Sequence, residues 1–217
     1  MPSLRIIAID PVKPDQARIA EAAGILKAGG IVVYPTETFY GLGADATNEK
    51  AIERVFTIKG RSSANPLPVI IGEENELARL AMDVDEMSRR LIKVFWPGPL
   101  TLVFTASPRI SAKLTANTGK IGIRISGHSI AASLAGALGR PITATSANPS
   151  GAAECTSPEE AMSSLGNLVD AVIDGGMTPG GAGSTILDMT CKPPVIIREG
   201  VIPATRLWAV IDAARYT

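Results

Sequence analysis

The sequence predicts an α/β protein, a single domain in which helices flank a twisted mixed β-sheet. Short apolar runs of β-branched residues alternate with segments whose apolar residues recur at helical spacing. Several late strands follow one another with no helix between them, which argues against a doubly wound parallel sheet. No repeat or low-complexity linker interrupts the chain, so we expect one domain over residues 1–217.

Periodicity and capping residues define the elements of the first half. Residues 31–34 form a buried strand that Pro35 ends, because proline has no N–H to give to a strand ladder. Thr47 or Asn48 caps a helix that stops at Gly60. The other predicted elements of this half are a strand at 4–9, a helix at 15–28, a strand at 67–71, helices at about 73–81 and 85–95, and a strand at 100–105.

The second half contains more strands than helices. The segment 121–125 is a strand, and 129–138 is a helix built of small residues. Residues 141–145 are predicted to form one strand that leads into Ser146-Ala147-Asn148. The remaining predicted elements are a helix at 158–165, strands at 168–173, 185–189 and 195–198, and a helix at about 204–214.

Composition limits the classes of protein to consider. Hydrophobic residues make up 46% and charged residues 19% of the chain, and its formal net charge is zero. These values are typical of a globular protein and argue against a surface coated in basic charge. No apolar run approaches the ~18 residues of a membrane span, and the N-terminus lacks a basic region followed by a long apolar one. We therefore expect a soluble, cytoplasmic protein.

Cysteine, histidine and glycine usage restricts the chemistry. Cys155 and Cys191 lack CxxC spacing, which favours two free thiols in a reducing compartment. His128 is the one histidine, so a multi-histidine metal site is excluded, and a Cys–His nucleophilic pair is a disfavoured alternative. No P-loop motif occurs. Residues 41–46 match GxGxxA, but the segment 35–40 separates them from the preceding strand, so we interpret the match as accidental.

Polar and charged residues follow or interrupt several predicted strands. Thr36-Glu37-Thr38 follows a strand, at the edge where open α/β sheets bind ligands, although a polar capping turn is an equal alternative. Arg124 lies inside an apolar strand, where an unpaired charge is costly, so it should have an anionic partner. Arg198 ends another strand, and Ser146 and Asn148 offer a hydroxyl and an amide at a third.

Two further cations surround the glycine that ends a predicted helix. Lys59 and Arg61 flank Gly60, and Asn65 follows in the next loop. Compensation of the helix dipole would explain one such cation but not the pair. Arginine suits carboxylate or phosphate recognition, and lysine suits phosphate. The whole set therefore predicts a site for one carboxylate-bearing and one phosphate-bearing ligand.

Seven ordered motifs carry a resemblance to a known family. They are YPTETFYGLG, KGRSSANPL, WPGPLT, IGIRIS, TSANPSG, GSTILD and IIREG. In this order, over about residues 17–201, the chain resembles the YrdC-like family of threonylcarbamoyl-AMP synthases. The resemblance implies a fold around a concave, positively charged cavity and a nucleotidyltransferase. Such an L-threonylcarbamoyladenylate synthase joins L-threonine, bicarbonate and ATP, with Mg²⁺ on the ATP, and releases pyrophosphate.

The resemblance also implies roles for particular residues. Lys59, Arg61 and Arg124 would neutralise charge in the reaction, and no residue is assigned to hold a metal. The threonine site would consist of Thr38, Arg124 and Ser184. The nucleotide site would consist of Lys59, Arg61, Asn65, Lys120, Ser146, Asn148 and Arg198.

Five positions depart from the family pattern. Ser62, Ser126 and Ser129 replace prolines, which we expect to alter loop stiffness only. Ile70 stands where some members have a histidine near the threonine side chain, so the shape of that subsite is open. Glu154 replaces a nucleotide-contacting serine, and a carboxylate near phosphates is unfavourable unless Mg²⁺ or a lysine compensates for it.

Two other functions are compatible with the sequence. One is a non-catalytic module that binds double-stranded RNA or tRNA, and the other is a regulatory nucleotide-binding protein. Aromatic residues total 4%, too few for a base-stacking platform, which favours the enzyme. We expect tRNA to be bound weakly or indirectly, and the threonylcarbamoyl group to reach tRNA through separate transferase proteins.

Overall fold

A computed structural model describes residues 4–60 and 65–213, and these form a mixed α/β fold with helices packed on twisted sheets, as the sequence predicts. The strands are β1 (Arg5–Ala8), β2 (Val32–Pro35), β3 (Tyr40–Gly43), β4 (Val69–Ile70), β5 (Ala81–Met82), β6 (Leu100–Ala106), β7 (Lys120–Arg124), β8 (Ile142–Thr143), β9 (Thr145–Ser146), β10 (Ala171–Asp174), β11 (Thr185–Asp188) and β12 (Val195–Arg198). The helices are α1 (Gln16–Lys27), α2 (Glu49–Lys59), α3 (Leu77–Leu80), α4 (Glu86–Phe95), α5 (Ser129–Leu138), α6 (Pro158–Leu165) and α7 (Ala204–Ala213).

The strands form two mixed sheets, where the sequence predicted one. The first has the order β1-β10-β2-β3-β9, and the second has the order β12-β11-β6-β7-β4-β8, with β5 paired to β6. The prediction of a single strand at 141–145 is wrong, because this segment is divided between the two sheets. Its first part, β8, pairs with β4 in the second sheet, and its last part, β9, pairs with β3 in the first. The chain therefore passes from one sheet to the other at Ala144.

The segment after Pro35 is a hairpin, which the sequence did not predict. Pro35 is the last residue of β2, so the strand ends there as predicted, and Pro35 pairs with Tyr40 of β3. The Tyr34 ring lies against Gly41 and Gly43, where an added Cβ would come within 3.0 and 2.8 Å of ring atoms. These two glycines thus make room for a buried tyrosine, which supports reading the GxGxxA match as accidental.

Capping residues set most helix ends as predicted. The Asn48 side chain accepts N–H groups at the start of α2, and Gly60 ends it in the left-handed conformation. The predicted helix at 73–81 is wrong in part. It is a 3₁₀ turn at Glu74–Glu76 followed by the short α3, and Ala81–Met82 is drawn into an edge strand beside β6.

Two hydrophobic cores hold the layers together. In one, α1 and α5 pack against one face of the first sheet, with residues such as Ile19, Leu134 and Ile173 fully buried. The larger core contains Val33 of the first sheet, Leu102 of the second sheet and buried residues of α2, α4 and α7. Within the described residues, no helix is long and apolar enough to cross a membrane.

The cap of α5 predicts a pH dependence of stability. Nδ1 of His128 accepts the Ile130 N–H at 3.3 Å, which requires that nitrogen to be unprotonated. Burial lowers the pKa of His128 below its ordinary value of 6.5, with Glu37 opposing the shift. The unfolded chain therefore binds the proton more readily than the folded chain, and the free energy of unfolding should fall as pH decreases below 6.5.

A variant isolates this contribution. His128→Asn keeps a cap acceptor but cannot titrate, so denaturant unfolding between about pH 5 and 8 should show a smaller loss of stability on acidification than in the wild type. Parallel pH profiles for the two proteins would contradict the assignment.

Candidate functional site

A cavity of about 670 Å³ opens where the two sheets meet, a size suited to small-molecule ligands. The β2–β3 hairpin, the end of α2 and the strand β7 contribute to its wall, together with the segment after β9 and the strands β11 and β12. The predicted site residues that line it are Thr38, Lys59, Asn65, Arg124, Ser146, Asn148, Ser184 and Arg198.

Lys59 is a buried cation held by the segment after β9. Its Nζ donates to the Ser146 carbonyl at 2.7 Å, to the Ser146 hydroxyl at 3.3 Å and to the Asn148 amide oxygen at 3.2 Å. The Asn148 amide nitrogen in turn donates to the carbonyls of Pro149 and Ala152. These bonds fix the ammonium at the cavity wall. The residue is only 4% exposed, so the hydrogen bonds replace the water that the ammonium has lost. Such a fixed cation suits a phosphate.

Arg124 has the anionic partner that its apolar strand requires, and the partner is Glu37. Nη1 of Arg124 donates to Oε1 of Glu37 at 2.5 Å, and the hydroxyl of Ser126 donates to Oε2 of the same carboxylate. Ser126 thus does more than alter loop stiffness, which corrects that expectation. The sequence pointed to a ligand carboxylate beside Arg124 but gave Glu37 no role, because the two lie 87 positions apart.

The two threonines of the hairpin turn are linked. The hydroxyl of Thr36 donates to the Phe39 carbonyl at 2.7 Å and lies 3.1 Å from the hydroxyl of Thr38. The Gly180 N–H donates to the Thr38 carbonyl at 2.8 Å, which joins the turn to the loop before β11. Both threonines are buried and line the cavity, so their hydroxyls lie at its wall and are held there by hydrogen bonds within the turn.

Arg198 and Ser184 form a hydrogen-bonded pair at the cavity wall. Nε and Nη2 of Arg198 donate to the Ser184 carbonyl at 3.2 and 2.8 Å. The Ser184 hydroxyl lies 3.1 Å from that of Thr101, a buried residue of β6. Thr101 thus supports Ser184, as Glu37 supports Arg124. The sequence did not indicate this role, because threonine is common in strands and nothing near Thr101 marks it as part of a site.

Lys120, Ile70 and Ser129 were singled out from the sequence but are not among the described residues that line the cavity. The ammonium of Lys120 donates to Asp188 at 2.8 Å at the far end of β7, and that bond raises the pKa of Lys120. Its predicted place beside ATP is therefore not supported by its position. Ile70 is fully buried in β4, and the Ser129 hydroxyl donates to the Pro11 carbonyl. Glu154, by contrast, is exposed and does line the cavity.

Arg61 and Ser62 lie outside the described residues. Within the described part of the chain, the charged residues at the wall are Lys59, Arg124, Arg198 and Glu154. The expectation of a positively charged cavity stays a prediction, since it depends partly on Arg61. In the same part of the chain, no cluster of three or more His, Cys, Asp or Glu residues is arranged to hold a metal ion.

The arrangement defines a class of site. Two buried cations, Lys59 and Arg124, share a cavity with exposed Arg198 and are interleaved with hydroxyl and amide groups. Side chains of this kind bind small anionic ligands and stabilise negative charge that develops on them. The fold and the cavity therefore define a small-molecule-binding α/β protein.

Comparison with known proteins gives the family. A family model described as Telomere recombination, for the proteins Sua5, YciO and YrdC, matches residues 24–200. The chain belongs to this family, which confirms the resemblance. The threonylcarbamoyl-AMP synthase of Pyrococcus abyssi is 39% identical over 201 residues, which cover 93% of this chain and 59% of that protein.

Two solved structures support the fold. The crystal structure of P. abyssi Sua5 complexed with L-threonine has a TM-score of 0.92 and 39% identity, and the match covers 95% of this chain and 60% of that chain. E. coli YciO has a TM-score of 0.83 and 32% identity, with 93% and 97% covered. The chain thus spans about three-fifths of the Pyrococcus protein and nearly all of YciO.

A close backbone contact beside Ser184 gives a prediction for the cavity wall. A Cβ at Gly200 would lie 2.0 Å from the Gly183 oxygen and 2.7 Å from the Ser184 carbonyl carbon. Gly200→Ala should therefore force this backbone apart and lower the free energy of unfolding by about 1–3 kcal/mol. Chemical denaturation measures the change.

A glycine in open space provides the matched control. Gly24 lies inside α1 with nothing within 4 Å of an added Cβ, so Gly24→Ala should stabilise the protein by about 0.5–1 kcal/mol. A Gly200→Ala protein as stable as the wild type would show that the strand end tolerates the displacement.

Proposed function

We propose that this chain is a threonylcarbamoyl-AMP synthase, an adenylate-forming nucleotidyltransferase that acts on L-threonine, bicarbonate and Mg²⁺–ATP. The observation that carries the proposal is one cavity with a buried arginine and hydroxyls on one part of its wall and a buried lysine with a serine and an asparagine on another. A relative of high structural similarity is described as a complex with L-threonine.

The amino acid is proposed to bind beside the hairpin and β7. Arg124 would receive the threonine carboxylate, because a guanidinium can form two parallel hydrogen bonds to it. Thr38 lines the same cavity and offers a hydroxyl. Ser184 offers a further hydroxyl from the start of the β11 segment, supported by Thr101.

The nucleotide is proposed to bind toward the end of α2. Lys59 is held by Ser146 and Asn148, so its charge is already in place when the phosphates arrive. Asn65 and Arg198 line the cavity near its rim, and Arg61 would add a further cation. Mg²⁺ would enter as part of the ATP complex, as substrate.

The proposed chemistry needs positioning and charge neutralisation. The threonine amine forms a carbamate with bicarbonate-derived carbon dioxide, a carbamate oxygen attacks the α-phosphorus of ATP, and pyrophosphate leaves. Negative charge grows on the phosphate oxygens, and Lys59 and Arg198 at the cavity wall would stabilise it. The product adenylate would diffuse to separate transferase proteins that act on tRNA.

A reconstituted reaction tests the function. The purified protein should release pyrophosphate from ATP when threonine, bicarbonate and Mg²⁺ are all present, and mass spectrometry should detect the threonylcarbamoyl-adenylate. With tRNA added but no other protein, the tRNA should contain no modified nucleoside. Pyrophosphate release that is equally fast when threonine is omitted would refute the proposal.

The role of Arg124 is tested by a substitution that keeps its charge. Arg124→Lys loses the planar bidentate edge, so threonine binding should weaken by about 1.5–3 kcal/mol in calorimetry, while ATP binding changes little. Unchanged threonine affinity in a folded variant would show that Arg124 serves the structure alone.

A further inference from the structure

Glu37 lies behind Arg124, and both of its carboxylate oxygens bind groups of the protein. Oε1 accepts from Nη1 of Arg124 and Oε2 accepts from the Ser126 hydroxyl. That hydroxyl also accepts the His128 N–H at 3.2 Å. The Glu37 side chain is 17% exposed, and it is not among the described residues that line the cavity. Glu37 is therefore placed to act on Arg124 and not on a ligand.

The contact determines which part of the guanidinium is available. Arginine carries five N–H donors in a planar fork, and Nη1 of Arg124 uses one of them to bind Oε1 of Glu37. Arg124 also lines the cavity, so a ligand carboxylate would meet donors that Glu37 does not use. A guanidinium already fixed in its plane loses little conformational entropy when a carboxylate binds.

We propose that Glu37 is a positioning residue for the amino acid substrate. It holds Nη1 of Arg124, with Ser126 holding Glu37, so that the remaining edge of the guanidinium is preformed for the substrate carboxylate. The inference rests on the proposed function, because it assumes that Arg124 binds the amino acid. It differs from a role as general base, which would require a carboxylate oxygen facing the cavity.

Two substitutions of Glu37 separate geometry from charge. Glu37→Ala removes both hydrogen bonds, so the guanidinium plane is no longer fixed. Glu37→Gln retains an amide oxygen for Nη1 and an amide N–H₂ group for the Ser126 oxygen, so it removes the charge but preserves the connections. Positioning predicts that Gln rescues most of what Ala loses.

Steady-state kinetics gives the readout. In Glu37→Ala the KM for threonine should rise by about tenfold or more, whereas kcat at saturating threonine and the KM for ATP should change by less than about threefold. In Glu37→Gln the KM for threonine should stay within about threefold of the wild type. Ser126→Ala should raise the KM for threonine by a few-fold. This substitution leaves the bond between Glu37 and Arg124 in place but removes the hydrogen bond to Oε2 of Glu37.

An ion pair that is not among the described residues of the cavity wall controls for stability. Asp45 is buried and pairs with Arg140 at 2.8 Å, and neither residue lines the cavity in the described chain. Asp45→Asn should lower the melting temperature and leave the KM for threonine unchanged. An equal rise of that KM in Asp45→Asn would mean that the Glu37 effect is one of general stability, which overturns the proposal.

The remaining outcomes also decide the matter. Gln and Ala variants that are equally impaired, or an Ala variant that binds threonine more tightly, would show that the charge of Glu37 matters and not its positioning. If Glu37→Ala fails to fold, an unchanged threonine KM in Ser126→Ala overturns the proposal. A wild-type protein that neither binds threonine nor releases pyrophosphate refutes the proposed function instead.

Discussion

Thr143 joins the two sheets through buried hydrogen bonds, and the cavity opens where these sheets meet. Its backbone belongs to β8 and pairs with β4 of the second sheet. Its hydroxyl donates to the Leu42 carbonyl at 2.9 Å and accepts the Ala44 N–H at 3.0 Å, both beside β3 of the first sheet. The Tyr34 hydroxyl, whose pKa is raised by burial, donates to the Thr143 carbonyl. Because these groups are fully buried, each needs its partner, and the two sheets are held in one geometry.

The same constraint explains where the site residues come from. Immediately after Thr143 the chain crosses to the first sheet and presents Ser146 and Asn148 to the ammonium of Lys59. On the other side of β4, β7 runs parallel and places Arg124 beside Glu37 of the hairpin turn. Each cation at the wall is thus supported by a segment from another part of the chain. Fixed charges of this kind need not reorganise when negative charge develops on a ligand.

The residues of the site fall into two groups, those that line the cavity and those that hydrogen-bond to the lining side chains. Arg124, Lys59 and Ser184 line the cavity, while Glu37 and Thr101 lie behind them. The supporting residues restrict the orientation of a long or rotatable side chain, so less conformational entropy is lost when a ligand binds. Buried polar groups that are fully hydrogen-bonded also make the structure more rigid, so the contacts that position the cavity wall contribute to the fold as well.

The sequence by itself determined the fold class, most elements and several polar residues that line the cavity, because these depend on local patterns. The caps at Asn48 and Gly60, the bounds of α5 and α6, and the polar residues after strands are all visible in short windows. It predicted the need of Arg124 for an anion, but the identity of that anion, Glu37, depends on which strands become neighbours. The tertiary structure alone decided that residues 141–145 divide between two sheets, that Tyr34 requires the two glycines of β3, and that Lys120 pairs with Asp188 away from the cavity. These outcomes follow from contacts between distant segments, which local periodicity and spacing do not encode.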